Sequence, residues 1–326
     1  SGASARTTPG RADSAPTAMP AAPRDNARGI LAMNAASVAF IVGDSIVKAV
    51  STAMPLGQIM VLRGAVASAL LVALCLWTGA FAAWRTLFHP TLGYRLVGEI
   101  GATLLYVTAL MYMPLGNATA IFQVTPLAIT AAAALFLGET VGWRRWTAIL
   151  VGFGGVLIII RPGFAGFDRS AFLVLGAVFF VVLRDLATSQ MPAGVPTPLA
   201  VLNTASAVMV TGFVLIPFEG IFSRYSEWQP VSDRHAGLLA LAGCVLVLGY
   251  MLLTFAMRVG DMSVVAPFRY ALLIWSFLAG LIFFGDVPDR WTLLGAAIVV
   301  MTGIYSFQRE RLRARAQRAA ASGPVP

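Results

Sequence analysis

Between residues 28 and 308 the chain alternates about ten apolar stretches, each near 20 residues, with short polar breaks. A helix needs about 20 apolar residues to cross the hydrocarbon core of a bilayer. The stretches fall at 29–47, 56–78, 94–113, 116–137, 145–160, 170–190, 197–218, 236–257, 262–284 and 291–308. Because no water reaches the bilayer core, only helices or a closed barrel can cross it, and unbroken apolar runs lack the alternation of barrel strands. The pattern therefore predicts an all-α polytopic membrane protein with ten transmembrane helices.

Composition strengthens this reading: 11% of residues are charged and 58% are hydrophobic, against about 25% charged in soluble domains. The net charge of +9 is not a nucleic-acid footprint, because much of the excess sits in the tails. Residues 1–27 are rich in Ala, Pro, Ser, Thr and Arg and too poor in large apolar groups to fold, and they contain no apolar core for a signal peptide. Residues 309–326 form a basic tail with Arg309, Arg311, Arg313, Arg315 and Arg318, where headgroup contact is the alternative to a simple orientation signal. Cys75 and Cys244 lie inside apolar stretches and read as packing residues.

An even number of spans puts both tails on one side. Arg85, Arg95, Arg144, Arg145 and Arg258 then join the tail arginines there, while Lys48, Arg161, Arg169, Arg224, Arg234 and Arg290 fall opposite. The bias predicts a protein of the cell's inner membrane with both termini cytoplasmic.

The two halves, 28–162 and 163–308, resemble each other. Asp44 and Pro55 recur as Asp185 and Pro196 at one separation. Tyr106, Gly116, Asn117 and Thr119 recur as Tyr250, Gly260, Asp261 and Ser263, and Arg145-Trp146-Thr147 recurs as Arg290-Trp291-Thr292. Five spans per unit oblige the second copy to lie upside down, the inverted-repeat plan of many secondary transporters, with substrate bound near the midplane.

Several segments resemble the EamA branch of the drug/metabolite transporter superfamily. They are Asp44 to Lys48 followed by Pro55 and Arg63, the Gly138-Glu139-Thr140 turn, Ala266-Pro267-Phe268-Arg269-Tyr270, and Phe284-Gly285-Asp286-Val287-Pro288. The likeness covers nearly all of residues 28–308, with Asp286 departing from the commoner Gly-Glu form of the second turn. It implies a ten-helix carrier of small organic metabolites, often amino acids or their relatives, working by alternating access.

Charges within apolar spans are costly and mark function or pairing. Arg63 and Arg269 each lie about two turns inside a span, within a cavity or, for Arg63, snorkelling to the interface. A guanidinium in a cavity makes forked contacts with carboxylates, so both are candidate substrate ligands. Gln123, Thr125 and Pro126 cluster an amide, a hydroxyl and a helix breaker in the fourth span. Tyr106, Tyr112, Phe122, Tyr250, Tyr270 and Trp275 complete the cavity candidates, although packing or interface roles account for most such aromatics. Asp44 and Lys48 are spaced to pair on one helix turn, as an outer gate, a structural tie or a coupling site. Asp185, beside Arg184, is the counterpart of Asp44 at the other mouth, and Glu99 lies at a depth that allows a tie to Arg269. Asp261 falls at the interface near Arg258. Ala131 to Ala134 and Gly152, Gly154 and Gly155 read as surfaces of close helix approach.

Enzyme chemistry finds no support: His89 and His235 sit in loops on opposite sides, and no metal-ligand or nucleophile spacing occurs. No cofactor is expected, the partners are a small-molecule substrate and the bilayer, and the oligomeric state is not legible. The residues favour a carrier of an amino-acid-like or carboxylate-bearing metabolite. The alternatives are an importer of a larger organic ion, nucleoside-like or a di- or tricarboxylate, and, from another class, a channel or receptor.

Overall fold

A computed structural model describes residues 25–138, 141–163, 167–192, 194–222, 225–260 and 262–321, without the side chains of 222, 262, 263 and 313–321. The Glu139-Thr140 turn and Asp261 lie outside the described residues.

The first half contains α1 (Asn26–Val50), α2 (Leu56–Thr78), a 3-10 stretch (Ala80–Phe88), α3 (Pro90–Tyr112), α4 (Leu115–Phe122), α5 (Thr125–Phe136) and α6 (Trp143–Ile160). The second contains α7 (Ala171–Ser189), α8 (Thr197–Val214), the short α9 (Glu219–Phe222), α10 (Asp233–Val259), α11 (Met262–Val265), a 3-10 turn (Ala266–Tyr270), α12 (Ala271–Ala279), a π-helical turn (Gly280–Phe284) and α13 (Arg290–Ala321). Chain chemistry sets the ends. Asp25 caps α1 by accepting from the Arg28 N–H at 3.0 Å, and Asp289 caps α13 through the Thr292 N–H at 2.7 Å. Gly79 ends α2 in the left-handed region.

Among the described residues, nine helical segments are long and apolar enough to cross a membrane. The expected third span, α3, is long enough at 23 residues but is not among the nine, and it carries Arg95 and Glu99 in its first half. The fold is thus an all-α polytopic membrane protein.

The helices pack most extensively as four pairs: α1 with α10, α3 with α7, α2 with α8, and α6 with α13. Exchanging the two halves turns the first pair into the second and leaves the other two unchanged. At the α6–α13 crossing, a Cβ on Gly155 or on Gly295 would meet the other glycine's carbonyl oxygen, so only glycine permits this approach. At the end of the bundle away from both termini, Val47, Val50, Met54 and Leu56 are fully buried and form a dry plug.

Two spans are broken, the fourth near its middle and the ninth near its start. The fourth divides at Gln123–Val124 because Pro126 has no N–H to offer the Phe122 carbonyl four residues earlier. The Thr125 hydroxyl takes that place, donating to Phe122 O at 2.5 Å. The ninth is broken by the 3-10 turn that contains Pro267. α4 packs against α12, which brings the two interrupted spans together at the centre.

Candidate functional site: a central cavity with an unpaired arginine

Irregular backbone at membrane depth is tolerated where it faces protein or a polar cavity. Here both breaks border a cavity of about 380 Å³, within the range of small-molecule sites. It reaches from mid-bundle toward the termini, where Met33, Met257 and Phe307 contribute to its wall.

Arg63, Arg269, Gln123, Tyr106, Tyr250 and Tyr270 all line this cavity, as do Asp44, Glu99 and Arg184 from the gating candidates. Trp275, Lys48 and Asp185 do not. Trp275 is 37% exposed on α12, away from the wall. Tyr112, 45% exposed, also lies elsewhere.

Lys48 does not pair with Asp44. Its ammonium crosses to the end of α3 and donates to Met113 O at 2.5 Å and Leu110 O at 3.2 Å. A cation at the carbonyl end of a helix is well placed, since those carbonyls have no partner within the helix. Asp44 instead accepts from the Tyr106 hydroxyl at 3.4 Å and faces Arg63. Glu99 does not tie to Arg269 either. It accepts from Arg184 at 3.3 Å and from the Tyr250 hydroxyl at 3.4 Å, while Arg184 also donates to Asp185 at 2.8 Å. Depth along a helix placed Glu99 correctly near arginine but could not say which one.

Electrostatic neighbours order these groups as Asp44, Arg63, Glu99, Arg184, Asp185 and Arg269, alternating in sign, and all but Asp185 line the cavity. Three acids balance three bases, and the row ends on a base. Arg184 has two carboxylates in contact, whereas the Arg269 guanidinium makes no hydrogen bond or ion pair among the described residues. The accessible surface of Arg269 is offered to the cavity it lines. A guanidinium in such a place retains its forked donors for an incoming carboxylate.

Gln123 connects the two breaks: its Nε2 donates to the Arg269 carbonyl oxygen at 3.3 Å. Aromatic pairs flank the space. Phe40 meets Tyr250 edge-on at 5.4 Å, and Tyr106 lies 4.9 Å from Phe122. Such pairs give a ligand flat apolar walls.

The sequence pattern of the EamA-like transporter family matches residues 27–161. A riboflavin transporter of Rhizobium johnstonii is 30% identical over 215 residues, covering 64% of this chain and 67% of that protein. The chain belongs to the EamA-like transporter family. A riboflavin transporter of Vibrio cholerae is 28% identical over 298 residues, covering 89% of this chain and 96% of that one. A pseudopaline exporter of Pseudomonas aeruginosa is 29% identical over 281 residues, 85% of this chain and 94% of its own length. As a member of this family of the drug/metabolite transporter superfamily, the chain is a multi-pass membrane transporter of small molecules and not an enzyme.

Several wall residues escaped the sequence reading: Ser37, Phe40, Thr204, Gly303 and Phe307. One signal for Thr204 was present, because the offset that carries Asp44 onto Asp185 also carries Arg63 onto Thr204. For Phe40 and Phe307 no signal existed, since helices apolar on all sides do not reveal their inward face.

Proposed function

We propose that this EamA-like chain is a secondary transporter that carries a small carboxylate-bearing metabolite, amino-acid-like in size, by alternating access. The observation that carries the reading is the Arg269 guanidinium, which borders a cavity at a helix break and makes no hydrogen bond or ion pair among the described residues. A guanidinium open to the cavity keeps its donors for a ligand, and a substrate carboxylate makes a charge-assisted forked contact with it. Arg63, faced by Asp44, sets the polarity of the opposite part of the wall. The aromatic pairs take the rest of the molecule.

Two inverted five-helix units, 28–162 and 163–308, supply the mechanical basis, supported by a packing pattern that is unchanged when the halves are exchanged. The dry plug beyond Val47 and Leu56 closes one end while the cavity extends toward the termini. We place both termini in the cytoplasm and the protein in the inner membrane, on the arginine bias of the loops.

The aromatic walls favour a second reading, a nucleoside-like metabolite held by stacking, and relatives named for riboflavin agree with it. Reconstituted uptake tests both. Saturable uptake of a carboxylate metabolite, accelerated by the same compound on the opposite face, supports the first; saturable uptake confined to nucleosides and flavins, unaffected by Arg269→Gln, supports the second. Unsaturable conductance contradicts a carrier.

A further inference from the structure

Arg269 sits one residue before Tyr270, at the end of the 3-10 turn, and the ring of Tyr270 lies directly over Gly303 of α13. A Cβ at position 303 would coincide with the phenol, so any other residue there displaces the ring. The Tyr270 hydroxyl is buried and has no hydrogen-bond partner among the described residues, so none of their polar groups holds the ring in place. What holds it is the notch left by the missing side chain. From the other half of the molecule, Gln123 holds the carbonyl of Arg269.

We infer that Gly303 is the positioning residue of the substrate site: its notch seats Tyr270, and the seated ring fixes the 3-10 turn so that Arg269 faces the cavity. The inference rests on the reading of Arg269 as the substrate ligand. Its physical basis is independent of any ligand. The 3-10 turn is short and has poorer hydrogen-bond geometry than an α-helix, so its rotation is set by what packs against it. Gln123 fixes one point of the turn and the Gly303 notch fixes the second. One contact is at the carbonyl of Arg269 and the other at the ring of the next residue, so together they limit the rotation of the turn about Arg269. Elsewhere α13 packs chiefly on α6, so at Gly303 a helix of the outer wall sets the geometry of the binding site.

Cysteine labelling reads the direction of position 269 without a substrate. The full chain, with Cys75 and Cys244 replaced by alanine, carries Arg269→Cys as reporter and, in a parallel protein, Ser37→Cys on α1 as a second cavity reporter. The probe is the negatively charged reagent 2-sulfonatoethyl methanethiosulfonate. Adding Gly303→Ala slows labelling at 269 by about tenfold, the population shift expected from overpacking. Labelling at 37 does not change. Adding Tyr270→Ala to Gly303→Ala removes the collision and restores labelling at 269 to within about threefold, since the two substitutions are coupled.

Equal rates at 269 with Gly and Ala at position 303 overturn the inference, and so does an equal slowing at both reporters, which marks a general disturbance. Should Gly303→Ala alone fail to give a monodisperse protein, the double variant must give one; failure of both overturns the inference. None of these outcomes depends on whether the substrate carries a carboxylate. A chain that labels as expected yet binds no acid leaves Gly303 in its role and removes the carboxylate reading.

Discussion

Two arginines are set in contrasting parts of the bundle. Arg145, in the α6–α13 wall, is 9% exposed through its side chain and pairs with Glu310 at 3.1 Å, with Thr130 also in reach. Arg269, at the break of the ninth span, makes no direct bond to a carboxylate or a hydroxyl among the described residues, with Asp185 acting on it only through space. The wall helices are unbroken, meet glycine to glycine at Gly155 and Gly295, and are tied a second time at the other end by Arg161 and Asp289. The broken spans pack through α4 and α12 and are joined at their breaks by an amide contact, Gln123 to Arg269. In the wall the arginine is matched by direct contact within the protein, whereas at the cavity Arg63 and Arg269 have acids near them but no direct ion pair among the described residues. Backbone regularity follows the same division.

The largest effect that sharpens this contrast comes from Arg269→Ala. We expect transport efficiency to fall about a hundredfold, the loss of a charge-assisted forked contact. The melting temperature should hold or rise, because the fold itself loses no partner. Uptake in proteoliposomes and a thermal melt measure the two quantities on one sample.

Gly295→Val should do the reverse. Its side chain meets Gly155 O and Ile159, and overpacking of this kind costs about 1–3 kcal/mol of stability. Substrate KM in the folded fraction should stay near that of the parent protein. A large change in KM without a change in melting temperature would erase the distinction between wall and site.

Arg145→Ala should be milder, about 1 kcal/mol, since Glu310 is 57% exposed and solvent screens the pair. The smallest effect belongs to Asp289, at the far end of the same wall. Burial acts to raise its carboxyl, but the Thr292 N–H and Arg161 outweigh burial and hold it below the ordinary 3.8. A depressed folded value means that this stabilisation is present above about pH 4 and is lost as pH falls through the folded value. Melting curves of the parent protein and Asp289→Asn should therefore differ at neutral pH and converge in acid.

The spans were legible because apolar length is read one residue at a time: the stretch expected at 56–78 matches α2, and that at 145–160 lies within α6. The break of the fourth span was also legible, through Pro126 and the polar pair before it. Partnerships were not. Asp44 and Lys48 are four residues apart, yet Lys48 reaches carbonyls on α3 that are 62 and 65 residues away. Helix-turn spacing describes an isolated helix, and a neighbouring helix end offered the ammonium better partners. Trp275 illustrates the same limit in a helix apolar all round, where the sequence gives no direction. Gly303 carries no chemistry of its own and becomes visible only through the ring that fills its notch.

The central claim is that Arg269 stands ready for a carboxylate from outside the chain. Thermal-shift measurement of the purified full-length protein and its Arg269→Gln variant, against metabolites offered in pairs as the acid and its amide, tests it most directly, because a ligand that binds only the folded form raises apparent stability. The account predicts at least one acid that stabilises the parent protein while its amide does not, with the shift abolished in Arg269→Gln. Stabilisation confined to neutral compounds, or an acid whose shift survives the substitution, would contradict it.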